Sequence, residues 1–128
     1  MNQTAYPESS SVSVEISLPC PACGLLTIGE ACYGTYNICP ICGWEDDPVQ
    51  LANPACGGGA NTQSLIEAQS IIMPEYPPTE MTVTGITRDS SWRPLSASEC
   101  KVAEMEKQTK LWMNKAVYEP ANVYWNEQ

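Results

Sequence analysis

Four cysteines in two short repeats carry the most specific chemistry in this chain. Cys20-Pro21-Ala22-Cys23-Gly24 recurs as Cys39-Pro40-Ile41-Cys42-Gly43, giving the pattern C-x2-C-x15-C-x2-C. Zinc takes four donors tetrahedrally, with thiolate sulfurs at about 2.3 Å. Two cysteines three apart on a tight turn can face one metal, and the glycine after each pair suits a left-handed backbone there. Cys20, Cys23, Cys39 and Cys42 are therefore expected to hold one zinc ion. Rubredoxin-type iron sites use the same knuckles, so iron stays open as an alternative. A complete four-thiolate set leaves no coordination position for water or substrate, which favours a structural metal over a catalytic one. A thioredoxin-like redox role needs one such pair opening a helix in a βαβ setting, and no such setting is present. Cys32, Cys56 and Cys100 lack partner spacing and are expected as small buried hydrophobes.

Charge narrows the function further. The 128 residues include 15 acids, 6 bases and no histidine, for a formal charge of −9. Residues 1–87 carry nine of the acids and no Lys or Arg, so the whole excess sits in the first two thirds. Four thiolates and one divalent zinc add −2, taking −9 to about −11, so zinc is not the counterweight to the acidic side chains. Nucleic-acid binding needs Lys and Arg to neutralise phosphates, and this lobe has none. The absence of histidine removes imidazole catalysis and imidazole ligands. A basic protein partner fits best, and an enzyme fits least.

Two further stretches could act. Trp44-Glu45-Asp46-Asp47 follows the last cysteine pair closely and reads either as a solvated loop beside the metal or as an acidic surface for a basic partner. Cys56-Gly57-Gly58-Gly59-Ala60-Asn61 precedes a helix but lacks the Gly-Lys-Ser/Thr ending of a phosphate loop. It is expected as a flexible loop, with Asn61 or Ser64 capping the helix that follows.

The elements that must position these residues are legible in outline. Val12, Val14, Ile16 and Leu18 alternate with polar residues, predicting a strand that runs into the first cysteine pair. The residues between the pairs are long enough for a β-hairpin that brings the pairs together. Ser64-Leu65-Ile66-Glu67 predicts a capping box opening a helix to about Ile72, stopped before Pro74. Residues 81–86 predict a strand. Ser96-Ala97-Ser98-Glu99 is a second capping box, expected to open a long helix over 97–118. Val102, Met105, Thr109, Trp112 and Ala116 form a stripe on it, expected to face the core, with Glu106 and Lys110 paired on another face.

The expected fold class is α+β: a small zinc-ribbon β unit, a short helix, and a long C-terminal amphipathic helix. The regions are a polar lead (1–10), the cysteine-rich region (11–72), a Pro-rich connector with a strand (73–95), and the C-terminal helix and tail (96–128), together one compact domain. No basic-then-apolar leader opens the sequence, and no run approaches the roughly 20 apolar residues of a membrane span. A cytoplasmic protein is expected, its thiols reduced and available for metal.

Cys20–Gly24, the run from Tyr36 to Asp47, Asn61, Ser64-Leu65 and Glu67-Ala68 together resemble the bacterial cysteine-rich CPCC family over roughly residues 18–72. Ala22 stands where the family has its namesake third cysteine, and Gly43 replaces a bulkier residue before the tryptophan. The resemblance implies a small zinc-binding domain without established enzymatic activity, of a kind often found as a companion of toxin systems. The expected function is thus a non-enzymatic, acidic, zinc-binding interaction protein, in its most specific form an immunity-type inhibitor that masks a basic toxin. The alternative is a structural or regulatory zinc-ribbon subunit that docks through helix 97–118.

Overall fold

The structure is a computed structural model and describes residues 17–109 and 114–126. Strand β1 (Leu18–Pro19) pairs antiparallel with β2 (Leu26–Ile28), with Leu18 opposite Ile28 and Pro19 opposite Leu26. The first cysteine pair is the turn between them. The second pair is enclosed in the same way by the antiparallel bridge between Ile38 and Glu45. Chain reversal therefore happens at each cysteine pair, and the hairpin expected between the pairs is replaced by a non-strand connection over 29–37. Of the expected N-terminal strand, Leu18 is paired, whereas residues 12–16 lie outside the described residues.

Helix α1 (Pro48–Ala52) was not anticipated. Asp47 caps it by accepting the Val49 and Gln50 N–H groups, and Pro48 fills the first turn, where its missing N–H costs nothing. Helix α2 (Leu65–Glu75) opens on the expected capping box, Ser64 with Glu67. It continues past Ile72 and includes Pro74. Near the C-terminus a proline removes only one late backbone bond, and the Tyr76 N–H closes the end on the Ile72 carbonyl.

Residues 81–86 are not one strand. β3 (Thr82–Val83) turns back on β4 (Ile86–Thr87) through Thr84 and Gly85, whose φ angles are 52° and 81°. Positive φ at both central positions is the geometry of a two-residue hairpin turn whose twist matches that of the strands.

Helix α3 (Ala97–Lys107) starts on the Ser96–Glu99 box but ends well short of residue 118. Val102 and Met105 are 54% and 64% exposed, Thr109 and Ala116 are exposed, and the helix buries Ala103 instead. The expected core stripe therefore faces outward, and its fourth member, Trp112, lies outside the described residues. Two contacts set this orientation. Arg93 grips Glu99 in the first turn, at 2.7 Å and 2.8 Å, and the chain beyond the helix is drawn to α1 by the Val117 N–H on the Pro48 carbonyl. Glu106 pairs with Lys115 at 3.0 Å; the expected partner, Lys110, lies outside the described residues.

One buried cluster joins the cysteines to the rest of the fold. It includes Cys20, Cys23, Leu25, Tyr33, Cys39, Trp44, Leu51, Leu65, Trp92, Val123 and Trp125. Trp125 meets Tyr33 edge-on, with ring centroids 6.0 Å apart. The C-terminal residues thus pack directly on the cysteine-rich half. Among the described residues, no helix is long and apolar enough to cross a membrane.

Candidate metal centre

The two cysteine pairs fold into the same small loop twice. In the first, the Cys20 N–H donates to the Leu25 carbonyl at 2.8 Å and the Gly24 N–H donates to the Cys20 carbonyl at 2.7 Å. In the second, the Cys39 N–H donates to the Trp44 carbonyl and the Gly43 N–H to the Cys39 carbonyl, both at 2.9 Å. Gly24 and Gly43 have φ of 81° and 85°, the left-handed conformation that glycine adopts without penalty. At Gly24 a side chain is also excluded by packing, because a Cβ there would lie 2.4 Å from the Trp92 ring.

These loops bring four sulfurs together. Those of Cys20, Cys23, Cys39 and Cys42 all lie within 4.8 Å of one another, with Cys20 to Cys42 at 3.6 Å and Cys23 to Cys39 at 3.8 Å. A tetrahedron with metal–sulfur bonds of about 2.3 Å has edges of about 3.8 Å. The cluster fits such an ion with little rearrangement. Cys20, Cys23 and Cys39 are buried, and Cys42 is half-buried. Within the thiol cluster, burial pushes Cys20 up. Cys39 is held far below the ordinary thiol range because the thiols of Cys20, Cys23 and Cys42 direct hydrogen bonds toward it. Metal binding at such a cluster replaces thiol protons with a cation.

The first knuckle is gripped from outside by residues that sequence reasoning did not single out. Three of its backbone carbonyls, those of Pro21, Cys23 and Gly24, accept from donors outside it. Gln69 donates to Pro21 at 3.0 Å and the Trp92 indole to the same carbonyl at 3.3 Å. Arg88 Nε donates to Cys23 at 2.9 Å, and the Asp89 N–H donates to Gly24 at 2.9 Å. Arg88 is only 2% exposed, and the rest of its guanidinium donates to the carbonyls of Tyr76, Pro77 and Glu80. It is the first basic residue in the sequence, and it brings a buried positive charge against the knuckle. Its place after a long acidic stretch was visible in the sequence; nothing there signalled its burial.

The run Trp44-Glu45-Asp46-Asp47 is not an exposed acidic face. Trp44, Asp46 and Asp47 are 4%, 1% and 5% exposed, and only Glu45 keeps partial access to solvent. Asp46 Oδ2 accepts the Thr35 N–H at 2.9 Å and its hydroxyl at 2.8 Å. Asp47 Oδ1 caps α1, and its Oδ2 accepts the Ala60 N–H at 2.9 Å. The expectation of a solvent-facing contact surface is corrected here: backbone donors in neighbouring loops draw these carboxylates inward.

The glycine-rich loop is likewise fastened. Gln50 Nε2 donates to the carbonyls of Cys56, Asn61 and Gln63, and its Oε1 accepts from the Asn61 N–H and side chain. Ser64 caps α2, whereas Asn61 binds Glu45. Of the three remaining cysteines, Cys56 is buried and Cys100 half-buried as small apolar groups, but Cys32 is exposed, contrary to expectation.

Two sequential two-thiol loops gather four sulfurs into one compact cluster whose donor set is suited to a metal ion. Residues 18–74 match the family model described as Cysteine-rich CPCC, which supports the resemblance seen in the sequence. No curated protein matches the chain. Arg88, Asp89 and Trp92, which complete the first knuckle, lie beyond the matched segment.

Proposed function

We propose that this protein is a non-enzymatic binding module whose fold is stabilised by one zinc ion on Cys20, Cys23, Cys39 and Cys42, and whose acidic first two thirds engage a basic protein. The observation that carries the metal assignment is the gathering of four sulfurs within 4.8 Å, a donor set that suits zinc and leaves no open coordination position. Zinc would stabilise the two knuckles by neutralising thiolates that would otherwise repel one another. The chain's residues supply position and burial.

The partner assignment is supported by charge. Residues 17–87 contain Glu30, Glu45, Asp46, Asp47, Glu67, Glu75 and Glu80 and no basic side chain. Complementary charge steers association and disfavours wrong partners. The most specific form of this reading is an immunity-type protein that covers the basic cleft of a toxin. The test is direct binding between the zinc-loaded chain and the purified product of the adjacent gene. Association with a basic product that weakens steeply as salt rises supports the reading. An acidic product, no association, or binding unchanged by salt contradicts it.

A second reading, a structural or regulatory subunit of a larger assembly, is favoured by the outward stripe of α3, where Val102 and Met105 are both more than half exposed. In that case Met105→Asp abolishes assembly while leaving zinc bound.

A further inference from the structure

With Asp46 and Asp47 turned inward, a basic partner must be met by other residues. A cleft of about 350 Å³ opens between the second knuckle and α2, bordered by Cys42, Trp44 and Glu45 on one side, Gln63 on the loop, and Ile71 and Ile72 on the helix. Two large apolar side chains stand exposed beside it: Ile71 at 56%, and Ile38, bridged to Glu45, at 63%. Ile71 and Glu75 are spaced by four along α2, so they share one face, and both are exposed; Glu67, one turn earlier, accepts the Ser64 N–H and borders a separate hollow with Glu104 and Lys107.

Of the residues that line the cleft, Glu45 is charged and none is basic. No Lys or Arg occurs anywhere in residues 17–87. Cys42, the least buried of the four ligands, lines the cleft, so a four-thiolate site carrying a divalent ion would place a net −2 near its wall. Trp44 lines the same cleft, is 4% exposed, and has an indole N–H without an acceptor among the described residues.

We propose that this cleft, with Ile71 and Glu75 along its helical rim and Glu45 and Ile38 on the knuckle side, is the docking surface for a basic protein segment that presents an apolar side chain between Lys or Arg residues. The exposed isoleucines supply apolar contact, and the flanking carboxylates select and orient the basic side chains. The proposal rests on the acidic-interaction reading above and gives it a location.

The test uses the full zinc-loaded chain, labelled with ¹⁵N and titrated with a synthetic amphipathic peptide of lysine and leucine. The same peptide with glutamate in place of lysine serves as the control. The surface proposed here requires salt-sensitive amide shifts centred on residues 42–45, Gln63, Ile71 and Glu75, with no response to the control. Ile71→Asp and Glu75→Lys, both at exposed positions, should each weaken binding about tenfold at unchanged zinc content. Shifts centred instead on Glu30, Glu80 or Glu119, or full binding by both variants, overturn this surface while leaving the acidic-interaction reading standing. No response to the basic peptide overturns both.

Discussion

Asn61 holds Glu45 by both of its backbone groups. Asn61 Oδ1 accepts the Glu45 N–H at 2.8 Å, and Nδ2 donates to the Glu45 carbonyl at 2.8 Å and to Gln50 Oε1 at 2.9 Å. On its other side Glu45 is bridged to Ile38. A side-chain amide thus takes the place of a neighbouring strand and locks the second knuckle to the glycine-rich loop.

Removing that clamp leaves a partly buried peptide without partners. Net hydrogen bonds contribute about 1 kcal/mol each, and stranded buried groups cost about 1–3 kcal/mol. Asn61→Ala should therefore lower the unfolding free energy of the zinc-loaded protein by about 2–3 kcal/mol in urea denaturation. Asn61→Asp should cost at least as much, since a carboxylate cannot donate to Glu45 or Gln50. A loss below about 0.5 kcal/mol for both would show that the clamp is incidental.

Arg88 ties the matched cysteine-rich segment to the chain that follows it. Its guanidinium serves the carbonyls of Cys23, Tyr76, Pro77 and Glu80. Hydrogen bonds from charged donors contribute about 1.5–3 kcal/mol each, and buried carbonyls left unmet add to the cost. Arg88→Met should destabilise the protein by about 3–5 kcal/mol and weaken zinc binding. Arg88→Lys should recover only part of either loss, because an ammonium cannot reproduce the planar fork. Zinc competition with a chromophoric chelator measures the second effect. Unchanged zinc affinity in a folded Arg88→Met would separate this residue from the metal centre.

The exposed stripe on α3 gives the opposite expectation. Val102→Asp and Met105→Asp should each change stability by no more than about 0.5 kcal/mol, as substitutions at exposed positions usually do. Thermal unfolding of the two variants checks this. A large drop would mean that the stripe faces the core in solution.

Glu99 provides a pH signature. The Arg93 side chain hydrogen-bonded to it, opposed by some desolvation, holds its carboxyl down to about 2. A folded-state value below the ordinary 4.5 stabilises the fold above that value, and the stabilisation is lost as pH falls toward about 2. Because the Arg93 and Glu99 side chains are 39% and 27% exposed, solvent screening limits the contribution to about 1 kcal/mol or less. The side-chain carboxyl carbon of Glu99 should titrate well below the ordinary 4.5. Release of metal in acid is a separate event, visible in the knuckle amides. Titration of Glu99 near the ordinary 4.5 would show that the ion pair does not hold in solution.

The four-cysteine cluster was the most legible part of this protein, because both its cysteines and its glycines are encoded locally. Each knuckle is a turn whose geometry depends on five consecutive residues, and the two capping boxes are equally local. The missing parts depend on distant contacts. Thr84-Gly85 carried a turn signal, since a glycine inside an apolar run marks a break, but the apolar residues around it read as one strand. The α3 stripe had the right period, yet periodicity does not say which face the rest of the fold covers, and here Ala103 was the covered residue. Asp46 and Asp47 read as solvated because carboxylates usually are. Their burial follows from N–H groups of Thr35, Val49, Gln50 and Ala60 that tertiary structure brings to them.

Cobalt substitution tests the central claim most directly. If Cys20, Cys23, Cys39 and Cys42 form one closed tetrahedral site, the protein should take up one cobalt per chain. It should then show the strong sulfur-to-cobalt charge-transfer and ligand-field absorption of four-thiolate coordination, and zinc should displace the cobalt and abolish the spectrum. Serine at any of the four positions should weaken binding and alter the spectrum. A weak spectrum of higher-coordinate cobalt, or stoichiometric uptake that survives Cys20→Ser combined with Cys39→Ser, would contradict the four-cysteine centre.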